Sequence, residues 1–174
     1  MLIETKRLRL IANHPAELRA VKTDPVASAR LAGVRLVEGM RDFLVSPEVS
    51  PEWLAKLEAA ETPDPWTYGF AVVHVQDQVV IGMGGYKGPP GVDGMVEIAY
   101  GIVPAYEGSG YATEVAEALV AHAFSTDGVR LVRVHTLPTA NASTRVLQKC
   151  GFTRVGEVVD PEDGPVWRWE RARP

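Results

Sequence analysis

Cysteine occurs once in the 174 residues, at Cys150, so no internal disulfide can form. A basic surplus is also missing: 18 Lys and Arg face 22 Asp and Glu, a formal net charge of −4. That argues against nucleic-acid binding, which calls for a basic stripe. No apolar run approaches the length of a membrane span. The opening Met1-Leu2-Ile3-Glu4-Thr5-Lys6-Arg7 lacks the apolar core of a secretory signal. Together these absences predict a cytoplasmic protein with neither membrane nor nucleic acid as partner. The four histidines, His14, His74, His122 and His135, have no metal-ligand spacing and no His-Glu-x-x-His, so no metal is expected. Gly108-Ser109-Gly110 is not the Gly-x-Ser-x-Gly elbow of hydrolases. The dinucleotide fingerprint fails because Thr113 stands where a third glycine is needed, and the Gly-Lys-Ser/Thr phosphate loop is absent. A nucleotide-binding α/β protein is therefore the weakest of the readings.

What the chain does contain is a mixed order of elements. Lys6 to Ile11 alternates polar and apolar residues and reads as a first strand. Pro15 to Val21 and Pro25 to Leu31 read as short helices. Pro51 to Ala60 reads as a helix with Ser50 as its N-cap and Pro51 at its first position. Tyr68 to Val75 and Val79 to Met83 form a hairpin around Gln76-Asp77-Gln78, followed by a glycine-rich loop. Met95 to Val103 is a strand, Ser109 to Phe124 the clearest helix, Val129 to Thr136 a strand, and Asn141 to Lys149 a helix closed by Gly151. Phe152 to Val159 and Val166 to Glu170 complete the set. This order predicts one α/β (α+β) domain over residues 1–174, built on a mixed, mostly antiparallel twisted sheet with flanking helices.

One segment carries chemistry. In the strand ending at Val103, the period of two puts Val96, Ile98, Tyr100 and Ile102 on one face. Glu97, Ala99, Gly101 and Val103 fall on the other, where Ala99 and Gly101 leave room for close approach to the backbone. The strand runs into Gly108-Ser109-Gly110, which opens a helix with apolar positions Ala112, Val115, Ala116, Leu119, Val120, Ala123 and Phe124. Free N–H groups at such a helix start, with the positive end of its dipole, suit a phosphate. A glycine pair alone also serves simply to turn a chain, so the weight lies in the strand and loop together.

Four segments resemble the GNAT superfamily of N-acetyltransferases, in the branch that acetylates the N-termini of ribosomal proteins. They are Glu4 to Leu10, Gly94 to Tyr100, Glu107 to Glu114 and Asn141 to Phe152. They lie in the family's order and spacing over nearly the whole chain. The resemblance implies the GNAT acyl-CoA acyltransferase fold and acetyl-CoA as co-substrate. It implies that backbone groups at Tyr100, Ile102 and Val103 pair with the pantetheine arm. The pyrophosphate would sit on N–H groups of Gly108, Ser109, Gly110, Tyr111, Ala112 and Thr113. An amine would attack the thioester directly, with a strand N–H stabilising the oxyanion. A homodimer is compatible with the resemblance. The acceptor stays open between a protein N-terminus, an aminoglycoside, a polyamine and another small amine.

Some positions depart from the pattern. Glu107 stands where the family usually has Arg or Gln, and a carboxylate beside pyrophosphate is unfavourable unless it points outward. Ala140 takes the usual place of an Asn, leaving Asn141 either to reach the coenzyme arm or to cap the helix. Leu147 replaces the Tyr that protonates the leaving thiolate in many relatives, so the acid is unassigned, with Ser143 and Tyr106 as weak candidates. Glu97 is the candidate general base, its alternative being a surface ion pair with a Lys or Arg. Cys150, among apolar neighbours, reads as structural, and His122 as solvated on the polar side of its helix. Trp66 and Tyr68 are candidates for the core or the acceptor pocket. The departures motivate a rival: an acyl-CoA-binding sensor that has lost turnover.

Overall fold

The computed structural model describes residues 1–24, 29–44, 51–161 and 163–174. The strands are β1 (Leu2–Glu4), β2 (Leu8–Ala12), β3 (Arg30–Leu31), β4 (Val34–Leu36), β5 (Phe70–His74), β6 (Val79–Tyr86), β7 (Met95–Ile102), β8 (Leu131–Thr136), β9 (Thr153–Asp160) and β10 (Gly164–Ala172). The helices are α1 (Pro15–Thr23), α2 (Met40–Leu44), α3 (Pro51–Ala59), α4 (Pro65–Tyr68), α5 (Tyr111–Ser125) and α6 (Ala142–Lys149). The main sheet runs β1-β2-β5-β6-β7-β8-β10-β9. Every pairing along it is antiparallel except β7 with β8. This is the mixed, mostly antiparallel sheet expected from the order of elements. No helix among the described residues is long and apolar enough to cross a membrane.

Several boundaries differ from the sequence reading. Of the expected helix from Pro25 to Leu31, residues 25–28 lie outside the described residues, and Arg30–Leu31 is a strand. Ala32 and Gly33, both at positive φ, turn it back into β4. Ser50, the expected cap of α3, also lies outside the described residues. Tyr68 ends α4 rather than opening a strand, because Asp64 accepts from the Trp66 N–H and caps a short helix there. β6 continues past Met83 through Gly84 and Gly85 to Tyr86.

Those glycines are there for close approach. A Cβ at Gly84 would lie 2.9 Å from Val115 Cγ1 and 3.3 Å from Leu119 Cδ1, so α5 rests directly on this part of β6. Val115, Ala116, Leu119, Val120 and Ala123 of α5 are buried against the sheet. Full burial of such a Val or Leu contributes roughly 1.5–3 kcal/mol. Tyr86 and Leu119 add a hydrogen bond, hydroxyl to carbonyl, at 2.8 Å. The helix is thus held tightly at the level where β7 leaves its neighbour.

Candidate active site

β7 pairs with β8 only at Met95↔Leu131, Val96↔Val132 and Glu97↔Arg133. Both strands run on, to Ile102 and Thr136, without pairing further. A cavity of about 480 Å³ opens between them, with Ala99 and Tyr100 on one wall and His135 and Thr136 on the other. On its other side β7 stays bound to β6: Lys87 N–H donates to Glu97 O and Val103 N–H to Ile81 O, both at 2.9 Å. In an antiparallel ladder, backbone groups alternate sides. Glu97, Ala99, Gly101 and Val103 therefore turn theirs to β6, and Tyr100 and Ile102 turn theirs to the open cleft. Val103 is a correction to the sequence reading. Its N–H is taken by Ile81, and its carbonyl accepts from Tyr106 N–H at 2.9 Å, so it has no backbone group left for a ligand.

The cleft continues into a cavity of about 700 Å³ between the starts of α5 and α6. Gly108 and Gly110 have φ of +76° and +82°, a region that suits glycine. Gly110 is the N-cap of α5, and no side chain caps the helix. The first helical bond is Glu114 N–H to Gly110 O at 3.1 Å. Among the described residues nothing accepts from the N–H groups of residues 108–113. Arg145 and Lys149 of α6 line the same cavity. Donors without partners at a helix N-terminus, faced by two cations, fit a pyrophosphate. Glu107 is exposed but also lines this cavity, and a phosphate at the loop is favoured only where that carboxylate turns to solvent.

Arg7, which the sequence reading did not select, builds this loop. Its Nε and backbone N–H both bond to the Glu114 carboxylate, at 2.7 and 2.8 Å, and its Nη1 donates to Ser109 O at 2.8 Å. Its guanidinium also lies 4.4 Å from the Tyr111 ring centre. On the far side, Asp77 in the β5–β6 turn accepts from Tyr106 Oη at 2.6 Å and pairs with His74 Nδ1 at 3.0 Å. His74 Nε2 meets Tyr111 Oη at 2.9 Å.

Glu97 is only 17% exposed and is held from two sides. Its Oε1 takes both Lys87 Nζ, at 2.8 Å, and His135 Nδ1, at 3.0 Å. Arg168 Nε donates to His135 Nε2 at 3.4 Å, which leaves the proton of a neutral ring on Nδ1, facing Glu97. Burial pulls the Lys87 pKa down, but Glu97, with Asp160 and Asp163 nearby, more than offsets this and holds it above the usual value. Oε2 has no partner among the described residues. The ion pair weighed in the sequence reading is therefore present, and it fixes one carboxylate oxygen while leaving the other open. The only sequence signal for His135 was the alternation of β8, where Arg133 and His135 interrupt a buried apolar series.

Asn141 accepts from Thr144 N–H at 3.1 Å in a reciprocal capping box, so its oxygen serves the helix. Ser143 is exposed and borders both cavities. Tyr106 is committed to Asp77. Leu147 is fully buried in the core. Tyr100 lines both cavities; its hydroxyl is buried without a partner, and burial, with the Cys150 thiol adding to it, raises its pKa. Cys150 is buried, its thiol pushed up to about 11 chiefly by burial, and its Sγ contacts Thr113 O. His122 is not simply solvated: its Nδ1 meets Tyr86 Oη at 2.8 Å, and burial lowers its pKa. Trp66 packs on Tyr86 and His122 and so belongs with the core. Among the described residues no group of three His, Cys, Asp or Glu is placed to hold a metal.

Residues 8–153 match the family model described as Acetyltransferase (GNAT) domain. The chain is 28% identical over 154 residues to an uncharacterized N-acetyltransferase, YjdG, of Bacillus subtilis, covering 87% of this chain and 89% of that one. A putative ribosomal-protein-serine acetyltransferase from Vibrio cholerae superposes with a TM-score of 0.66 at 19% identity, over 99% of this chain and 98% of that one. RimL, a ribosomal L7/L12 alpha-N-protein acetyltransferase solved with coenzyme A, superposes with a TM-score of 0.65 at 14% identity, over the same shares. At these identities the two structures speak for the fold.

Proposed function

The chain belongs to the GNAT acetyltransferase family and is an N-acetyltransferase, and from that premise we propose that it moves the acetyl group of acetyl-CoA to a primary amine by direct attack, with Glu97 as the base. One observation carries the reading: the unpaired backbone of Tyr100 and Ile102 leads straight into the partnerless N–H groups of residues 108–113. The pantetheine arm, itself an amide chain, pairs with the first, and the pyrophosphate takes the second. Its thiol end then lies in the gap beside Ala99.

The acceptor arrives as an ammonium and meets Glu97 Oε2. The carboxylate removes one proton, and the amine lone pair forms a bond to the thioester carbonyl carbon. Negative charge collects on the carbonyl oxygen, where a cleft-facing N–H of β7 stabilises it. Collapse breaks the C–S bond, and the second proton of the attacking nitrogen passes to solvent, which leaves the neutral amide and the coenzyme thiolate. The thiolate leaves without an acid, since a thiol with a pKa near 8.5 is a good leaving group. Lys87 and His135 hold Oε1, so Oε2 stays aimed without being spent on a neighbour.

Calorimetry with acetyl-CoA and free-thiol release with a panel of amines test this. Glu97→Gln keeps coenzyme affinity and lowers kcat by about 10²–10⁴, the range for loss of a positioned base. Coenzyme binding without thiol release from any amine supports instead the reading of a sensor that has lost turnover.

A further inference from the structure

The sheet face turned away from α5 carries Glu97, Ala99 and Gly101 in order along β7. Met83, Gly85 and Lys87 share that face on β6, because Gly84 and Tyr86 turn to α5. Ala99 lies across from Gly85, which the Gly69 backbone covers so closely that a Cβ there would stand 2.6 Å from the Gly69 Cα, and Gly101 lies across from Met83, so Ala99 is the open part of this floor. The walls above it are aromatic. The Phe43 ring lies against Gly101, so close that a Cβ there would stand 2.5 Å from its Cζ. The emptied position at Gly101 is thus filled by Phe43, while Ala99 remains exposed. Trp53 and Tyr68 meet edge to face, with centroids 6.2 Å apart. Their polar tips are tied to backbone: the indole N–H donates to Thr67 O at 2.8 Å and the phenol to Lys56 O at 3.2 Å. The slot of about 330 Å³ between these walls is therefore faced with ring carbon. It shares Ala99 and Tyr100 with the cavity that holds Glu97. Glu97 lies one two-residue step, about 7 Å, along the strand from Ala99.

The geometry points to an acceptor with one ammonium set two carbons from an aromatic ring, an inference that rests on the acetyl-transfer reading. The ammonium meets Glu97 Oε2, and the ring lies over Ala99 between Phe43 and the Trp53–Tyr68 pair, where edge-to-face packing favours it. A polyamine or aminoglycoside would bring further ammonium groups into the slot. The Lys22 ammonium already stands 5.6 Å from the Trp53 ring centre, so a further cation brought to that wall meets like charge. The same unit occurs in free arylethylamines and at the N-terminus of a peptide that begins with Phe.

Thiol release at saturating acetyl-CoA tests this with phenethylamine, a short peptide beginning with Phe, ethanolamine, spermidine and kanamycin. The expected result is a kcat/KM for a ring-bearing amine at least about tenfold above ethanolamine and spermidine. Whichever ring-bearing probe is faster names the source. Trp53→Leu, on the wall of the slot and outside the cavities that hold Glu97 and the glycine loop, shrinks the preference for the ring-bearing amine over ethanolamine by about tenfold. Faster turnover of spermidine or kanamycin overturns the inference, as does a Trp53→Leu variant that binds acetyl-CoA normally yet slows ethanolamine and the ring-bearing amine alike. No release with any amine overturns the acetyl-transfer reading as well. Turnover of the polyamines alone leaves that reading standing and removes only this one.

Discussion

Arg7 and Glu114, 107 residues apart in the chain, meet through two hydrogen bonds to one carboxylate: the Arg7 backbone N–H to Oε1 at 2.8 Å and its Nε to Oε2 at 2.7 Å. The same guanidinium donates to Ser109 O. The chain before β2 thereby fixes the curvature of the loop whose N–H groups would receive the pyrophosphate. Arg7→Ala removes both side-chain bonds and frees the loop to sample other shapes. The dissociation constant for acetyl-CoA is expected to rise about tenfold, roughly 1.4 kcal/mol, with kcat at saturation little changed. Calorimetry that finds an unchanged constant would show that the loop holds its own shape.

The same pair sets an acid limit on stability. Burial raises the Glu114 pKa, but bonds from the Thr5 hydroxyl, at 2.5 Å, and from Arg7 outweigh it, and the net shift is downward from 4.5. A carboxyl depressed in the folded state stabilises fully above its unfolded value and loses that contribution as pH falls through the folded one. Between about pH 5 and 3, the wild-type melting temperature should therefore fall more steeply than that of Glu114→Gln. Parallel curves would remove Glu114 from the acid transition.

Gly110 sits at φ +82° as the N-cap of α5, and an added Cβ would stand 3.5 Å from Arg7 Nη2. Gly110→Ala carries the left-handed penalty of roughly 1–2 kcal/mol. It should lower the melting temperature and weaken acetyl-CoA together. Gly156→Ala, with nothing within 4 Å of the added Cβ, is the matched control and should leave coenzyme affinity alone.

The parts of this site that could be read in the sequence are those with local signatures. Alternation from Val96 to Ile102 identified the buried face of β7, and the glycines before an apolar stripe identified the start of α5. Both are short-range patterns, set by strand and helix periods. What escaped notice depends on contacts between distant segments. Arg7 reaches Glu114 across 107 positions, and His135 reaches Glu97 across 38. Val103 belonged to a correct strand pattern, yet only the pairing with β6 reveals that its N–H is taken. His122 looked solvated because its helix position is polar-facing, but Trp66 and Tyr86, folding in from elsewhere, cover it.

Tyr106 reports on the other support of the loop. Its pKa is pushed up to about 12, chiefly by its hydrogen bond to the Asp77 carboxylate, with burial adding to it. A phenol raised in the folded state contributes stability below its ordinary value near 10 and loses it as pH rises through about 12. Asp77→Ala should let one tyrosine ionise near 10, visible in a near-ultraviolet titration against the wild type. The same variant loosens Tyr111 through His74, so coenzyme affinity should fall in parallel. A titration curve unchanged by the substitution would show that Asp77 does not hold Tyr106 in solution.

Gly84 tests whether the seat of α5 matters to the site above it. An added methyl would overlap Val115 Cγ1 at 2.9 Å and crowd Leu119 Cδ1 at 3.3 Å, in a region where all three residues are buried. The helix must then lift or tilt, at a cost of about 1–3 kcal/mol, or several degrees of melting temperature. Lifting α5 also moves the N–H groups of Tyr111, Ala112 and Thr113 away from β7, so acetyl-CoA should bind more weakly even though Gly84 itself does not line the coenzyme cavity. Combining Gly84→Ala with Val115→Ala removes the clashing methyl, and the double variant should be more stable than the sum of the single losses predicts, by about 0.5 kcal/mol or more. Additive losses would mean that the helix does not rest on this glycine, and that its position over the cleft is set elsewhere.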